Sequence, residues 1–229
     1  MSSVYKSIQE IKNRIAQACS RTGRSDKVRL MAVSKTRSRE EIDRAAEAGI
    51  TLFGENRVQE LQQKYNDYPD EWEVHMIGHL QRNKAKHVVP LVDWVDSIDK
   101  IETARELEKR CSANEKTLNI LLEVNTSEES SKSGYRDYDT LLNDLDIYQS
   151  FKYLQLRGLM TIAPYSSDEA LVRGAFSGLY KKFEDLQRRM PDQKIDTLSM
   201  GMSSDFEWAV EEGSTLVRVG TKIFGERTY

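Results

Sequence analysis

A lysine at the end of a buried strand can form a carbon–nitrogen bond with an aldehyde. Lys35 directly follows the apolar run VRLMAVS (28–34), so its amine is expected to lie against apolar surroundings. Desolvation disfavours the ammonium form and raises the fraction of neutral amine that can attack a carbonyl carbon. Lys35 is therefore a candidate for Schiff-base chemistry. A lysine that only extends from a strand end into water explains its position equally well.

Two turns near the C-terminus carry the small and hydroxyl residues that suit a phosphate. SMGMSS (199–204) and VGT (219–221) each follow an apolar run. Glycines let backbone N–H groups approach an anion, and hydroxyls add further donors. One such turn would be ordinary turn chemistry, but two turns at neighbouring strand ends favour a phosphate site. The candidate residues are Ser199, Gly201, Ser203, Gly220 and Thr221.

An arginine inside the last apolar run requires an acceptor for its donors. Arg218 lies two residues before Gly220, in a segment that predicts a buried strand. A guanidinium has five N–H donors and stays protonated in proteins. Either the pyridine nitrogen of a ligand or an internal carboxylate, such as Glu55 or Glu226, would meet that requirement. A pyridine nitrogen that faces this cation would stay unprotonated, which would weaken the ring as an electron sink.

The elements that would position these residues alternate between strand and helix. Eight short apolar runs predict parallel strands buried on both faces, at 28–34, 51–54, 73–78, 94–98, 117–124, 154–160, 194–200 and 215–220. Helical spacing predicts helices at 57–65, 82–88, 100–113, 138–148, 168–190 and 204–212, and another that ends at Gly49. Capping boxes are predicted for Ser38 with Glu41 and for Ser204 with Glu207.

Eight repeats in a chain of 229 residues predict a (β/α)₈ TIM barrel that forms one domain over residues 1–229. An extra N-terminal helix is predicted by the apolar stripe of Val4, Ile8 and Ile15. An open, doubly wound sheet is the alternative, but its usual G-x-G-x-x-G is missing because the first turn reads SKTRS. Barrels of this class work at the carboxyl ends of their strands, where Lys35 and the two turns would meet.

Composition narrows the classes of partner. Lysine plus arginine number 34 and aspartate plus glutamate 37, so the net charge of -3 predicts no binding to nucleic acid or membrane surfaces. The chain has no secretory signal pattern and no apolar run that predicts a membrane span, so a cytoplasmic location is expected. Cys19 and Cys111 lack metal-ligand spacing. His75 and His79 are expected on a strand and a loop rather than on one helix face, so no zinc site is expected.

Five segments together resemble a known protein family. They are LMAVSKTRSREEIDRAAEAGITLFGENRVQE, HMIGHLQRNKAKH, NTSEESSKSGY, RGLMTIAPY and LSMGMSSDFEWAVEEGSTLVRVGTKIFGER. In this order, and over nearly the whole chain, they resemble the YggS/PROSC family of pyridoxal phosphate homeostasis proteins. The resemblance implies a fold-type III barrel that is similar to the N-terminal domain of alanine racemase.

The resemblance also implies a cofactor and its contacts. It implies that pyridoxal 5′-phosphate forms a covalent aldimine with Lys35, and that Arg218 faces the pyridine nitrogen. The other residues that it implies around the cofactor are Asn56, His79 and Met160 beside the ring, and Ser199, Ser203, Gly220 and Thr221 at the phosphate.

The function implied is the binding of pyridoxal phosphate in intracellular vitamin B6 homeostasis, with indirect effects on amino-acid and keto-acid metabolism. A protein of this kind is expected to be a monomer, to lack committed catalysis and to have pyridoxal phosphate-dependent apoenzymes as partners. The chain ends at Tyr229, without the further β-domain that alanine racemases use for a second catalytic base. Alternatives are a racemase-like enzyme and a barrel aldolase that uses Lys35. The loop 126–133 is expected to be a mobile flap or a long surface loop.

Overall fold

Eight parallel strands close into a barrel in the order of the sequence, which confirms the predicted fold class. The computed structural model describes residues 3–127 and 133–226. The strands are β1 (Arg29–Val33), β2 (Leu52–Glu55), β3 (Glu73–Met76), β4 (Trp94–Ile98), β5 (Leu118–Glu123), β6 (Leu154–Met160), β7 (Thr197–Ser199) and β8 (Leu216–Val219). Closure pairs Met31 of β1 with Arg218 of β8, so the first and last strands lie side by side.

Helices cover the outer face of the barrel. They are α1 (Ser3–Arg21), α2 (Arg39–Glu47), α3 (Val58–Lys64), α4 (Ala85–Val88), α5 (Ile101–Ala113), α6 (Tyr138–Asn143), α7 (Leu145–Ser150), α8 (Glu169–Arg189), α9 (Phe206–Glu211) and α10 (Thr221–Phe224), with a 3-10 turn at Arg82–Lys84. The predicted N-terminal helix is confirmed as α1, which buries Ile8, Ile11 and Ile15. It packs against α9 and α10. None of the described helices has the length and apolar character that a bilayer crossing requires.

The ends of two helices test the sequence-based predictions of capping. Ser38 caps α2 in a complete capping box with Glu41, as predicted. The box predicted for Ser204 with Glu207 is wrong, because α9 begins one residue later and Asp205 occupies the N-cap position. The Asp205 carboxylate accepts a hydrogen bond from the Met202 N–H at 2.6 Å instead. That bond closes the turn after β7 rather than the first turn of the helix.

Two further boundaries differ from the sequence pattern. The segment predicted as one helix over 138–148 forms two short helices, α6 and α7, that meet at Asp144. The final strand, for which no clear helix was expected, leads directly into the single turn of α10. This last helix begins at Thr221, one of the predicted phosphate residues, and therefore fixes that residue at the carboxyl end of β8.

The barrel has an outer apolar core and a mixed interior. Most buried apolar side chains pack between the strands and the helices. Inside the barrel two small apolar clusters remain: one holds Trp94, Leu121 and Met160, and the other holds Met31, Val33, Leu52, Ile77 and Leu216. Buried polar residues fill the rest of the interior, among them His75, Asp96 and Arg218. Such residues need partners, because an unpaired buried polar group is costly.

Candidate functional site

A cavity of ≈ 590 Å³ opens at the carboxyl ends of the barrel strands. Six of the residues singled out in the sequence line it: Lys35, Asn56, Ser203, Arg218, Gly220 and Thr221. Five more residues among those that line it are Arg37, Ile162, Tyr165, Met202 and Lys222. The closed barrel therefore brings the lysine that follows β1 together with both of the turns predicted to bind phosphate. This volume suits a small organic molecule.

Lys35 is held between two fixed neighbours. Ser34 is fully buried, and its hydroxyl lies 2.8 Å from Glu55 Oε1 and 2.7 Å from the Tyr65 hydroxyl. Thr36 has a φ of 63°, and its N–H donates to Glu60 Oε2 at 2.6 Å. A β-branched residue rarely adopts that backbone conformation, which costs about 1–3 kcal/mol and persists only where the surroundings impose it. The chain thus fixes the backbone on both sides of the lysine.

Lys64 completes this support from α3. Its Nζ donates to the Ser34 carbonyl oxygen and to Glu55 Oε1, both at 2.9 Å. Burial raises the pKa of Glu55 above its ordinary value, although the hydrogen bond from Lys64 opposes the rise. Glu55 is therefore paired with Lys64 and is not the carboxylate partner considered for Arg218. Glu226, the other carboxylate considered, is exposed.

Arg218 lies almost completely inside the barrel and is 4% exposed. Its Nη1 donates to Ser199 Oγ at 2.7 Å and its Nη2 to the Thr161 carbonyl oxygen at 2.8 Å. Both acceptors are neutral, so the described part of the chain gives this guanidinium no salt bridge. Burial lowers the pKa of Arg218, and the negative charges of Asp96, Glu123 and Asp205 oppose that shift. The cation therefore keeps donors for a ligand in the cavity, which it also lines.

The two glycine turns leave little room for a side chain at either glycine. Gly201 has a φ of +92°, and a Cβ there would lie 2.5 Å from the Ala209 Cβ, so glycine is needed in this turn. At Gly220 a Cβ would lie 3.2 Å from the Val33 carbonyl oxygen. Ser203 and Thr221 bring hydroxyl groups to the same cavity. Small residues here let backbone N–H groups and hydroxyls meet a phosphate together.

Three residues that the resemblance placed around the cofactor do not line this cavity themselves. Ser199 is fully buried beneath the cavity, where it accepts the hydrogen bond from Arg218. Met160 is 1% exposed and packs against Trp94 inside the barrel. His79 lines a second, adjoining cavity, and its Nδ1 lies 3.3 Å from Asp99 Oδ2. Ser199 is thus placed to orient Arg218.

Sequence reasoning missed two acidic residues beside the site. Glu123 is the last residue of β5 and lines the adjoining cavity, and Asp99 follows β4. Burial raises the pKa of Glu123 to about 7, with a further contribution from Asp99. The signal that could have found both is their position at the carboxyl ends of barrel strands, which is where this architecture places functional groups.

Other sequence-based expectations can be placed as well. Within the described chain no group of three or more His, Cys, Asp or Glu residues could hold a metal ion. Cys19 and Cys111 are free cysteines. The predicted flap at 126–133 lies largely outside the described residues. Of its ends, Thr126 lies 2.9 Å from the Thr161 hydroxyl, and Ser133 lies 3.4 Å from His79 Nδ1.

The closed barrel of eight parallel strands belongs to the class formed by the N-terminal domain of alanine racemase. The family model for the alanine racemase N-terminal domain matches residues 7–228. An alanine racemase of Clostridium difficile shares the fold, with a TM-score of 0.73 at 12% identity over 95% of this chain and 56% of that one.

Within this class, full-length relatives identify the family. A pyridoxal phosphate homeostasis protein of Vibrio alginolyticus is 42% identical over 100% of both chains. PipY of Synechococcus elongatus, solved with pyridoxal phosphate bound, has a TM-score of 0.86 and 33% identity, and the match covers 97% of this chain and 100% of that one. The chain belongs to the pyridoxal phosphate homeostasis protein family. The resemblance inferred from the sequence motifs is confirmed.

Proposed function

We propose that this protein binds pyridoxal 5′-phosphate reversibly and takes part in intracellular vitamin B6 homeostasis. The proposal rests on the observation that one and the same cavity is lined by Lys35, Ser203, Gly220, Thr221 and Arg218. An amine, an anion-binding pair of turns and a buried cation match the aldehyde, phosphate and ring nitrogen of this cofactor. The names of the relatives and the cofactor bound in PipY support the same conclusion.

The fit of the cofactor is supported by a polar atom that the protein leaves unsatisfied. Asn56 Oδ1 is buried at the cavity and has no hydrogen-bond partner in the described parts of the chain. Buried polar atoms without partners are rare and indicate a missing ligand or water. A polar group bound in this cavity would supply the partner. The residues present therefore fit a small ligand that has a polar group near Asn56.

Each residue has a defined task. Pyridoxal phosphate supplies a reactive aldehyde and a ring that withdraws electrons. Lys35 Nζ would condense with the aldehyde carbon with loss of water, and the fixed neighbours Ser34 and Thr36 would keep that amine in place. Ser203, Thr221 and the N–H groups of their turns would hold the phosphate. Ser199 orients Arg218, whose remaining donors would be available to the ring nitrogen.

The position of Arg218 favours a binding role over catalysis. An arginine keeps its proton, so a ring nitrogen that faces it stays unprotonated and draws electrons less strongly. The site also lies at an open barrel end, where Tyr165 is 99% exposed. An open site allows the cofactor to exchange with solvent and with apoenzymes. We infer a cytoplasmic, monomeric protein of one domain that buffers and delivers the cofactor.

The experiment that tests this proposal uses two lysine variants. Wild-type protein incubated with pyridoxal phosphate should turn yellow, and borohydride should fix one cofactor on Lys35. Lys35→Ala should lose both the near-visible absorbance and the fixed mass. Lys222 lines the same cavity, and burial lowers its pKa, so Lys222→Ala is the matched control that should retain both. Colourless wild-type protein, or absorbance that depends on Lys222 instead, would refute the assignment.

A second measurement separates binding from turnover. Loaded protein incubated with several amino acids in deuterated water should exchange their α-hydrogens no faster than free pyridoxal phosphate does. The physical reason is that a ring nitrogen facing Arg218 stays unprotonated, which leaves the ring a weaker electron sink than a protonated one. Exchange at rates typical of enzymes would establish a racemase-like activity and would contradict the non-enzymatic role.

A further inference from the structure

A second cavity of ≈ 260 Å³ adjoins the cofactor cavity at the carboxyl ends of β3 and β5. The two cavities share the walls formed by Asn56, Ile77 and Ile162. The remaining lining of this side cavity consists of Gly78, His79, Glu123, Val124, Asn125 and Ser133. A molecule bound in the side cavity would therefore lie next to the site proposed for pyridoxal phosphate.

Glu123 is the dominant charged group in the side cavity. It is 6% exposed, and no described residue gives its carboxylate a hydrogen bond or a salt bridge. Burial and the negative charge of Asp99 together raise the pKa of Glu123 to about 7, although the positive charge of Arg218 opposes the rise. A buried carboxylate without a cationic partner is unfavourable, so a cation that entered the cavity would be stabilised there.

Two further acceptors beside Glu123 also lack donors. Asn56 Oδ1 and Asp99 Oδ1 are buried, and neither has a hydrogen-bond partner among the residues described. The Asp99 side chain is only 9% exposed, and its other oxygen lies 3.3 Å from His79 Nδ1. Asn56 and Glu123 thus line one cavity, and Asp99 lies close enough to Glu123 to act on its charge. A ligand for this cluster must supply donors rather than acceptors.

A primary ammonium group meets this requirement better than a metal ion. The described residues contain no cluster of three or more side chains suited to a metal ion. An ammonium group has three N–H donors and one positive charge. Its charge would also relieve the repulsion between Glu123 and Asp99.

We propose that the side cavity binds the ammonium group of a small primary amine, such as an amino acid, with Glu123 as its anionic partner and Asn56 as its neutral acceptor. In the context of the proposed function, an amine held there would pass one proton to Glu123 and displace the Lys35 amine from the aldehyde carbon of the cofactor, so that one carbon–nitrogen bond forms as the other breaks. The supply of amines would then control how firmly the protein retains pyridoxal phosphate.

The test measures binding of defined probes to the full chain freed of cofactor, by calorimetry or by chemical-shift titration. Ethylamine carries the ammonium alone, glycine adds a carboxylate, and acetate carries the carboxylate alone. Ethylamine and glycine should bind saturably, and acetate should not. If glycine binds and ethylamine does not, the proposal still holds provided that Glu123→Gln abolishes the binding of glycine. In that case the carboxylate of glycine supplies a second contact in addition to the ammonium. Binding of acetate without ethylamine overturns it, as does the absence of saturable amine binding.

Two variants locate the bound amine, and one control shows that the effect is local. Glu123→Gln should weaken ethylamine binding about tenfold or more, and Asn56→Leu should weaken it less. Asp192 is exposed and lies in the segment before β7, so Asp192→Asn should bind like wild type. Equal amine affinity in Glu123→Gln and wild type, with both folded by circular dichroism, overturns the proposal.

Failure of this proposal can be distinguished from failure of the cofactor assignment. Lys35→Ala should lose pyridoxal phosphate and still bind ethylamine. The reason is that Lys35 lines the cofactor cavity and does not line the side cavity. Wild-type protein that binds the cofactor but no amine refutes the ammonium site alone. In the loaded protein, glycine should hasten cofactor loss, and Glu123→Gln should reduce that effect. Cofactor loss that glycine does not hasten would refute the proposed control of retention.

Discussion

The amino-terminal half and the carboxyl-terminal rim of the barrel interior treat buried polar groups in opposite ways. In the lower half, Arg29 Nη2 donates to Glu73 Oε2 at 2.8 Å, and Glu73 Oε1 lies 2.7 Å from His75 Nε2. His75 Nδ1 in turn lies 2.9 Å from Asp96 Oδ1, and its ring stacks on Trp94 with centroids 4.9 Å apart. This lower network of Arg29, Glu73, His75 and Asp96 is continuous from strand to strand.

At the rim the pattern is reversed. Glu123 is nearly buried but has no side-chain partner in the described chain, and Asn56 and Asp99 each keep an unsatisfied oxygen. Arg218 lies between the two regions and donates only to neutral acceptors. Buried polar residues alone therefore do not mark a site in this protein. The distinction is whether the protein satisfies their hydrogen bonds: it does so in the lower network, whereas the rim keeps acceptors that a ligand could satisfy.

The largest effect expected from this comparison is a loss of stability when the lower network is broken. Both ring nitrogens of His75 face carboxylate oxygens; burial lowers the pKa of His75, but Asp96 and Glu73 outweigh burial and raise it. His75→Leu would leave the buried Asp96 side chain without its hydrogen-bond partner, and should reduce the free energy of unfolding by about 3–5 kcal/mol. Urea denaturation of the cofactor-free protein measures this loss.

The control for this variant is another histidine. His87 is half-buried at the end of α4 and lies outside the network, so His87→Leu should change the free energy of unfolding by less than about 0.5 kcal/mol. A loss in His75→Leu no greater than the loss in His87→Leu would mean that the network does not stabilise the barrel.

The next largest effect is a change in stability that comes from the rim, where the unpaired carboxylate of Glu123 should destabilise the fold. Burial raises the pKa of Glu123 from 4.5 to about 7, so between these pH values the folded chain binds a proton more tightly than the unfolded chain does. The contribution of Glu123 to the free energy of unfolding therefore falls as pH rises from about 4.5 to about 7. Glu123→Gln removes the charge and should stabilise the protein at pH 8 by about 3 kcal/mol at most.

Urea denaturation at pH 8 and pH 4.5 checks the sign of this effect. The gain from Glu123→Gln should disappear at pH 4.5, where the folded protein already holds the proton. Glu47 is exposed at the end of α2, and Glu47→Gln should show no such pH-dependent gain. If Glu123→Gln destabilises the protein at pH 8, the carboxylate has a partner and the contrast between the two regions fails.

Local patterns in the sequence predicted the fold well because parallel strands are short and buried on both faces. The bounds of β4 and β6 coincide with the predicted runs WVDSI and LQLRGLM. The predicted position of Lys35 after β1 was also sufficient to place it in the cavity. Strand order follows sequence order in a closed barrel, so the position of each strand end was predictable from the count alone.

The network and the rim acids could not be predicted in the same way. His75 and Asp96 face each other only because β3 and β4 pair in one particular register, which local spacing does not determine. The same limit applies to Ser199, whose sequence context did not indicate that its hydroxyl accepts a hydrogen bond from Arg218. The sequence was sufficient to predict which residues stand at the ends of the strands. The direction of each side chain could not be predicted from local spacing, because it depends on contacts with distant strands.

The smallest expected effect is the loss of affinity for pyridoxal phosphate when one hydroxyl group at the rim is removed. Thr221 is exposed at the cavity, and Thr221→Val removes one hydroxyl donor with little change in shape. A hydrogen bond to a charged group is worth about 1.5 kcal/mol or more, so affinity for pyridoxal phosphate should fall roughly tenfold in an absorbance titration. Thr117→Val, at an exposed residue before β5, should leave it unchanged.

A second titration assigns that loss to the phosphate. Pyridoxal lacks the phosphate, so Thr221→Val and wild-type protein should bind it equally. An equal loss for both ligands would show that Thr221 contacts the ring or supports the fold. The rim would then be completed by the ligand through its aldehyde and ring alone, and the two turns at the ends of β7 and β8 would need another explanation.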